Sequence, residues 1–310
     1  MTSAGRVTIL GIFVADVVFR AARLPKIGET VIGSGVAIGP GGKGSNQAVA
    51  AGRLGGAATL ITKIGEDAFG QIGRETWARA GVTARLMPPG DAATGAAFIY
   101  VNEGSGENAI IVVPGAAATI TAAQVEHEAD AIRGARVFMT QLEQPVAAAR
   151  RGLEIARAAG VTTVFNPAPA AALDDAIFGL CDYVTPNETE ASMLTGVAIA
   201  SSDDVRRAGD VLLAKGAGAA LITLGEKGAV LHMRSASMPI PAFDAGPAVD
   251  TTGAGDAFNG AFAVGIASGR DPVEAARFAA AAAGISVTRP GTAASMPSLA
   301  EVEALLGRAG

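Results

Sequence analysis

The amino-acid sequence predicts an α/β protein in which a mostly parallel central sheet, flanked by helices on both faces, carries a small β-sheet lid. Three observations lead there. Short apolar, β-branched runs alternate with Ala-rich segments of helical period, the pattern of parallel strands joined by crossover helices. Two stretches break that alternation by setting strand-like runs with little helix between them. Of the 310 residues, 50% are apolar and 17% charged, a composition that fills a sizeable core rather than leaving a disordered chain.

Taken in order, strands are expected at Val7 to Phe13, Ala58 to Ile64, Val137 to Gln141, Val161 to Phe165, Tyr183 to Thr185 and Ala220 to Thr223. Helical segments include Pro145 to Ala159, Asp203 to Lys215 and Asp256 to Ser268. Active sites on such sheets lie at the carboxyl ends of the strands. Val7 to Ala15 is apolar enough to raise the question of a secretory signal. Asp16 and Arg20 interrupt it, however, and no clean small-residue cleavage site follows, so it reads as a core strand.

The exceptional stretches are Glu29 to Ile38, and Gly95 to Val101 with Asn108 to Val113 across the turn-like Glu103-Gly104-Ser105-Gly106. They read as antiparallel strands of a separate small sheet, which together with part of the first strand region makes a lid. No Pro- or Ser-rich linker sets them apart, so residues 1–310 are read as one domain with a lid inserted at approximately 12–40 and 95–114.

Composition excludes several functions. A net charge of -5 with scattered Lys and Arg gives no footprint for nucleic acid. No uncharged apolar run approaches the ~18 residues that span a bilayer, so no membrane association and a cytoplasmic location are expected. Cys181 is the single cysteine, which rules out an intrachain disulfide. With His127 and His232 in unrelated segments, neither a zinc site nor a His-based triad can be built. Acid-base chemistry then falls to carboxylates.

Two glycine-rich turns each lead into a helix. The first, Gly39-Pro-Gly-Gly42-Lys43-Gly-Ser-Asn46-Gln, precedes the helical AVAAGRLGG. Its glycines allow close backbone approach to a ligand, and Lys43 and Asn46 can bond hydroxyls. Alone, the segment reads equally as a tight strand-to-helix turn. The second, Asp250-Thr-Thr252-Gly253-Ala254-Gly255-Asp256, opens the helix AFNGAFAVGIASG. Backbone N–H groups at such a helix start bind anionic oxygens, and the helix dipole favours the ionised form of Asp256 in the first turn, which can then take a proton from an alcohol. It can equally serve only the helix. Neither turn has the spacing of a P-loop or of GxGxxG.

Taken together and in order, GGKGSNQAVAAGRLG, MTQLEQP, FNPAPA, TPNETEA, ITLGEKGA and VDTTGAGDAFNGAF resemble the ribokinase (PfkB) family of carbohydrate kinases, from about Gly11 to Ser295. The resemblance implies ATP-dependent phosphorylation of the primary hydroxyl of a small sugar, D-ribose to D-ribose 5-phosphate in the branch that GGKGSNQA resembles. It implies sugar binding by Asp16, Gly42, Lys43, Asn46 and Glu143, and Mg²⁺ and phosphate held through water by Asn187 and Glu190. Thr223, Gly225 and Gly228 would meet the nucleotide, Gly253, Ala254 and Gly255 would form the anion hole, and Asp256 would be the base. Asp250, Thr252, Ser286, Arg289, Gly291 and Ser295 would make a loop for an activating K⁺, largely through carbonyls, and the lid would join two chains as a homodimer.

Read without the resemblance, Asp16, Glu143 and the Asn187-Glu190 pair serve as well for a turn cap, a surface charge and a helix N-cap. The sequence departs from the family at GIFVAD, where Val14 stands in place of Asn and offers a hydroxyl no hydrogen bond. Kinases for another pentose, a deoxypentose or a ketohexose therefore stand as alternatives, and so, in other classes, do a non-catalytic sugar-binding sensor and a dinucleotide oxidoreductase.

Overall fold

The computed structural model describes residues 5–308. In chain order the elements are β1 (Arg6–Leu10), β2 (Val14–Ala21), β3 (Gly35–Gly41), α1 (Lys43–Arg53), β4 (Ala57–Thr62), α2 (Ala68–Arg79), β5 (Thr83–Leu86), β6 (Thr94–Asn102) and β7 (Asn108–Gly115). There follow α3 (Ala122–His127), α4 (Ala129–Arg133), β8 (Val137–Thr140), α5 (Val146–Ala158), β9 (Thr162–Phe165), β10 (Tyr183–Val184), α6 (Glu188–Thr195) and α7 (Ser202–Ala214). The chain ends with β11 (Ala219–Thr223), β12 (Ala229–Met233), β13 (Ala236–Ile240), α8 (Ala254–Ala267), α9 (Pro272–Ser286) and α10 (Leu299–Arg308).

The nine-stranded sheet has the order β13-β12-β11-β10-β9-β8-β1-β4-β5. It is parallel from β11 to β5, and β12 and β13 add an antiparallel edge. Strands such as β1 and β8 are buried on both faces and read as continuous apolar runs, as parallel strands under two helix layers must. One apolar cluster gathers α1, α8 and α9 on one face, and another gathers α3, α5 and α7 on the other. The Ala and Gly content lets helices approach closely. A β-carbon on Gly260 of α8 would lie 2.5 Å from the Gln47 carbonyl of α1.

A second, four-stranded sheet has the order β3-β2-β6-β7. Three of its features differ from the sequence expectation. The first strand stops at Leu10 and resumes at Val14 in the other sheet, because Gly11 and Gly44 meet: a β-carbon on Gly11 would lie 2.6 Å from Gly44 Cα. The run from Glu29 to Ser34 is not a strand; Glu29 N–H closes a turn on Lys26 O at 2.9 Å beside Gly28 at φ 82. The strand proper is Gly35–Gly41. Finally, β2 and β6 pair in parallel, while the two outer pairs are antiparallel.

No helix of the described residues is long and apolar enough to cross a membrane.

Candidate active site

Helix α8 starts at the meeting point of two glycines and a buried acid. Gly253 is its N-cap at φ 78, the left-handed region that favours glycine. At Gly255 a β-carbon would meet nothing within 4 Å, so the backbone there is open to a ligand. Ala254 N–H donates to Thr251 O at 3.2 Å, whereas those of Gly255 and Asp256 have no acceptor among the described residues. Two free amides at a helix N-terminus receive anionic oxygens.

Asp256 is 7% exposed. Asn46 Nδ2 donates to its Oδ2 at 3.0 Å and Gln47 Nε2 to its Oδ1 at 3.1 Å. Burial raises its pKa, and the Lys43 charge and the two amides oppose that rise. A carboxylate so held can accept a proton from a hydroxyl set against its remaining lone pairs.

Both amides come from α1, which begins at Lys43 rather than after the glycine turn, at Ala48, where the sequence expectation put it. Gly42 caps it at φ 88, where a β-carbon would lie 2.7 Å from Ile12 O. The first-turn N–H groups, which lack intrahelical partners, are met from outside: Lys43 N–H donates to Glu143 Oε2 at 2.7 Å and Ser45 N–H to Ile12 O at 3.1 Å. Asn46 Oδ1 is buried without a partner among the described residues, an acceptor left for a ligand hydroxyl. Asp16 completes this side. A β-carbon on Gly41 would lie 2.3 Å from its Oδ1, so glycine makes room for the carboxylate.

These groups form one electrostatic set. Burial pushes Asp16 up to about 6, and pushes Glu143 up to about 7 although Lys43 pulls the other way. Burial also disfavours the Lys43 charge, yet Asp256, Glu143 and Glu190 together raise its pKa. Glu190 is raised as well, by burial.

Two cavities meet over the α8 N-terminus. The smaller, about 100 Å³, is polar and is lined by Lys43, Asn166, Asn187, Glu190, Gly255 and Asp256 among others. The larger, about 640 Å³, has walls that include Phe243, Phe258, Ala280 and Val287, a mostly apolar slot of the size that holds a cofactor. Thr223 and Gly255 line both, and Gly225 and Gly228 line the larger. Asn187 and Glu190 also form a reciprocal capping box on α6, with Asn187 Oδ1 accepting from Glu190 N–H at 2.8 Å and Glu190 Oε2 from Asn187 N–H at 2.9 Å. Capping and lining the chamber are thus compatible.

Behind Gly253, Asp250 ties two loops together: Oδ1 accepts from Thr252 N–H and Oδ2 from Gly291 N–H, both at 2.9 Å. Ser286 and Ser295 donate their hydroxyls to Ala283 O and Thr292 O, and Arg289 pairs with Glu301. With these side chains engaged, the carbonyls of the loops are the groups left for a cation.

Sequence reasoning passed over Gln47, Gln141, Asn166, Thr185 and Asn259, a buried polar chain behind the site. Gln47 and Asn166 stand in the GGKGSNQ and FNPAPA segments, which was their one signal. His232 lies elsewhere, bonded to Asp210 and Ser237.

A buried carboxylate beside free helix-start amides, at the mouths of a polar and an apolar cavity on a parallel sheet, suits an α/β small-molecule kinase. The chain belongs to the PfkB family of carbohydrate kinases: the family model described as pfkB family carbohydrate kinase matches residues 4–299. It is 39% identical to a ribokinase of Haemophilus influenzae over 95% of this chain and 96% of the relative. To a deoxyribokinase of Salmonella typhi it is 34% identical, over 94% and 96%. The structure of Arabidopsis thaliana ribokinase complexed with ribose and ATP superposes with a TM-score of 0.91 at 30% identity, covering 98% of this chain and 99% of that one.

Proposed function

We propose that the chain transfers the γ-phosphoryl group of ATP to the primary hydroxyl of a small sugar, with D-ribose, giving D-ribose 5-phosphate, as the first candidate. The observation that carries this reading is Asp256, a buried carboxylate oriented by two amides in the first turn of α8. The acceptor hydroxyl gives its proton to Asp256 as its oxygen bonds to phosphorus, and the bond from phosphorus to ADP breaks. Proton removal of this kind is worth ~10²–10⁴ in rate. The amides of Gly255 and Asp256, with the Lys43 charge, receive the oxygens of the transferring group.

Asp16, Gly42, Lys43, Asn46 and Glu143 bind the sugar, a role supported by the unpartnered Asn46 Oδ1. Thr223, Gly225 and Gly228 hold the nucleotide, whose base suits the apolar slot. Asn187 and Glu190 would hold Mg²⁺ through water. Among the described residues Glu190 Oε1 has no hydrogen-bond partner and Glu190 lines the polar cavity, which leaves a carboxylate oxygen for an ion shared with phosphate oxygens. Bound there, Mg²⁺ would neutralise phosphate charge. Carbonyls of the loops around Asp250, Thr252, Ser286, Arg289, Gly291 and Ser295 would hold K⁺ and steady the helix start. The second sheet serves as a lid that excludes water, a competing phosphoryl acceptor.

A deoxypentose is the second reading, favoured by Val14, which brings no hydrogen-bonding group to the Asp16 face. ADP release measured over a panel of pentoses, deoxypentoses and hexoses tests both. With the best sugar, Asp256→Asn should cut kcat by ~10²-fold or more and leave both affinities within a few-fold. Near-normal turnover would remove Asp256 from the reaction.

A further inference from the structure

Gln47 is fully buried next to Asn46 on α1, and its side-chain amide is bonded on every side. Nε2 donates to Asp256 Oδ1 at 3.1 Å and to Asn166 Oδ1 at 3.2 Å, and Oε1 accepts from Gln141 Nε2. Turned end for end, the amide would set its oxygen against two acceptor oxygens, so the network permits one orientation. Asn166 is held in turn, its Nδ2 donating to Thr185 O at 2.8 Å. Gln47 lines neither cavity. It reaches the chemistry only through Asp256.

We propose that Gln47 is a positioning residue for phosphoryl transfer: braced by Gln141 and Asn166, it fixes the plane in which Asp256 presents a free lone pair to the acceptor hydroxyl. This rests on Asp256 being the base. Asn46 alone would leave the carboxylate free to turn about its last bond, and Asn46 also faces the ligand. The bond from Gln47 to Oδ1 removes that rotation from the side that no ligand reaches. It also favours the ionised form, because an amide donor stabilises a carboxylate over a carboxylic acid.

The charged groups that act on Asp256 are Lys43 from α1, Glu143 from the loop after β8 and Glu190 from α6. Asp16 of β2 acts on Glu143. A neutral substitution at Gln47 removes none of these charges, so a shift in pH dependence reads the lost hydrogen bond.

The test is the pH profile of kcat for the full chain with ATP, Mg²⁺ and the best sugar of the panel, in wild type, Gln47→Met, Gln47→Glu and Asp256→Asn. Gln47→Met keeps the length and loses the donor. It should lower kcat about tenfold with KM values within about twofold, and move the acid limb up by about half a pH unit or more. Gln47→Glu, which sets an acceptor against Asp256, should move it further. An unmoved acid limb in Gln47→Met overturns the proposal, whether kcat is unchanged or falls with rising KM values as for a merely structural residue. Full turnover by Asp256→Asn overturns the base reading and this proposal with it. An inactive Asp256→Asn beside a normal Gln47→Met removes the positioning role alone. Should Gln47→Met not fold, Gln141→Met, which unbraces Gln47, should give a smaller upward shift, and no shift there overturns the proposal.

Discussion

Val14 and Asp16 project from the same face of β2, since side chains alternate along a strand. Val14 is 4% exposed and packs in an apolar cluster with Leu10, Ile12 and Leu142. A sugar hydroxyl directed at it would lose its water without gaining a partner, a cost of ~1–3 kcal/mol. The expected outcome is that Val14→Asn shifts the ratio of kcat/KM for D-ribose over 2-deoxy-D-ribose toward D-ribose by roughly tenfold, or ~1.4 kcal/mol. A wild-type enzyme that already strongly favours D-ribose, with a ratio unmoved by the substitution, removes Val14 from specificity. At this scale a residue was picked out as a candidate where it sits in a dense local motif, as Lys43, Asn46 and Asp256 do. Gln47 was not, because its partners Asn166 and Asp256 lie 119 and 209 positions away. Only the fold brings them within hydrogen-bond reach.

Among the elements, α2 is tied to the second sheet by one side chain. Asp67 caps the helix, its Oδ1 accepting from Gly70 N–H at 2.8 Å, while Oδ2 accepts from Thr94 N–H at 2.7 Å at the start of β6. Burial pushes the carboxyl up, but the amides of Thr94 and Gly70 outweigh it and hold its pKa below the usual value. A depressed folded-state pKa gives stability that is present above the unfolded value near ~4 and is lost as pH falls through the folded one. Asp67→Ala should therefore cost about 1–2 kcal/mol at pH 7, read by urea unfolding, and the gap to wild type should narrow toward pH 3. An equal gap at both pH values would mean that the charge is not involved. The elements legible in sequence were those with one clear period: β8, β9 and β11 as apolar runs, and α5, α7 and α8 as helices. Strand β13 escaped because Pro239 speaks against a strand, which an edge position tolerates. The junction of β1 and β2 was placed only roughly, with a strand to Phe13 and a lid from about residue 12, because apolar Gly11 to Val14 conceals where the chain changes sheet.

For the molecule as a whole, the unsettled surface is the outer face of the second sheet. Register places Ile38, Val17, Phe98 and Ile111 in one row across its four strands, on the face turned away from Asp16. Val36 and Phe19 continue the apolar surface, and Val36 is 65% and Ile111 64% exposed. Among the described residues the edges of β3 and β7 are also unpaired. Contiguous apolar surface with open strand edges is suited to contact with another chain, and a second copy would offer the same row for a two-fold, self-complementary contact. We propose a homodimer joined through these sheets. Sedimentation velocity at micromolar concentration should show wild type as a dimer, and Val36→Asp with Ile111→Asp as a folded monomer with the same circular dichroism. Activity per chain should fall with it, because β2 carries Asp16 on its opposite face and loses its support. A monomeric wild type ends the proposal. A monomeric double variant with full activity would keep the dimer and deny it a part in catalysis.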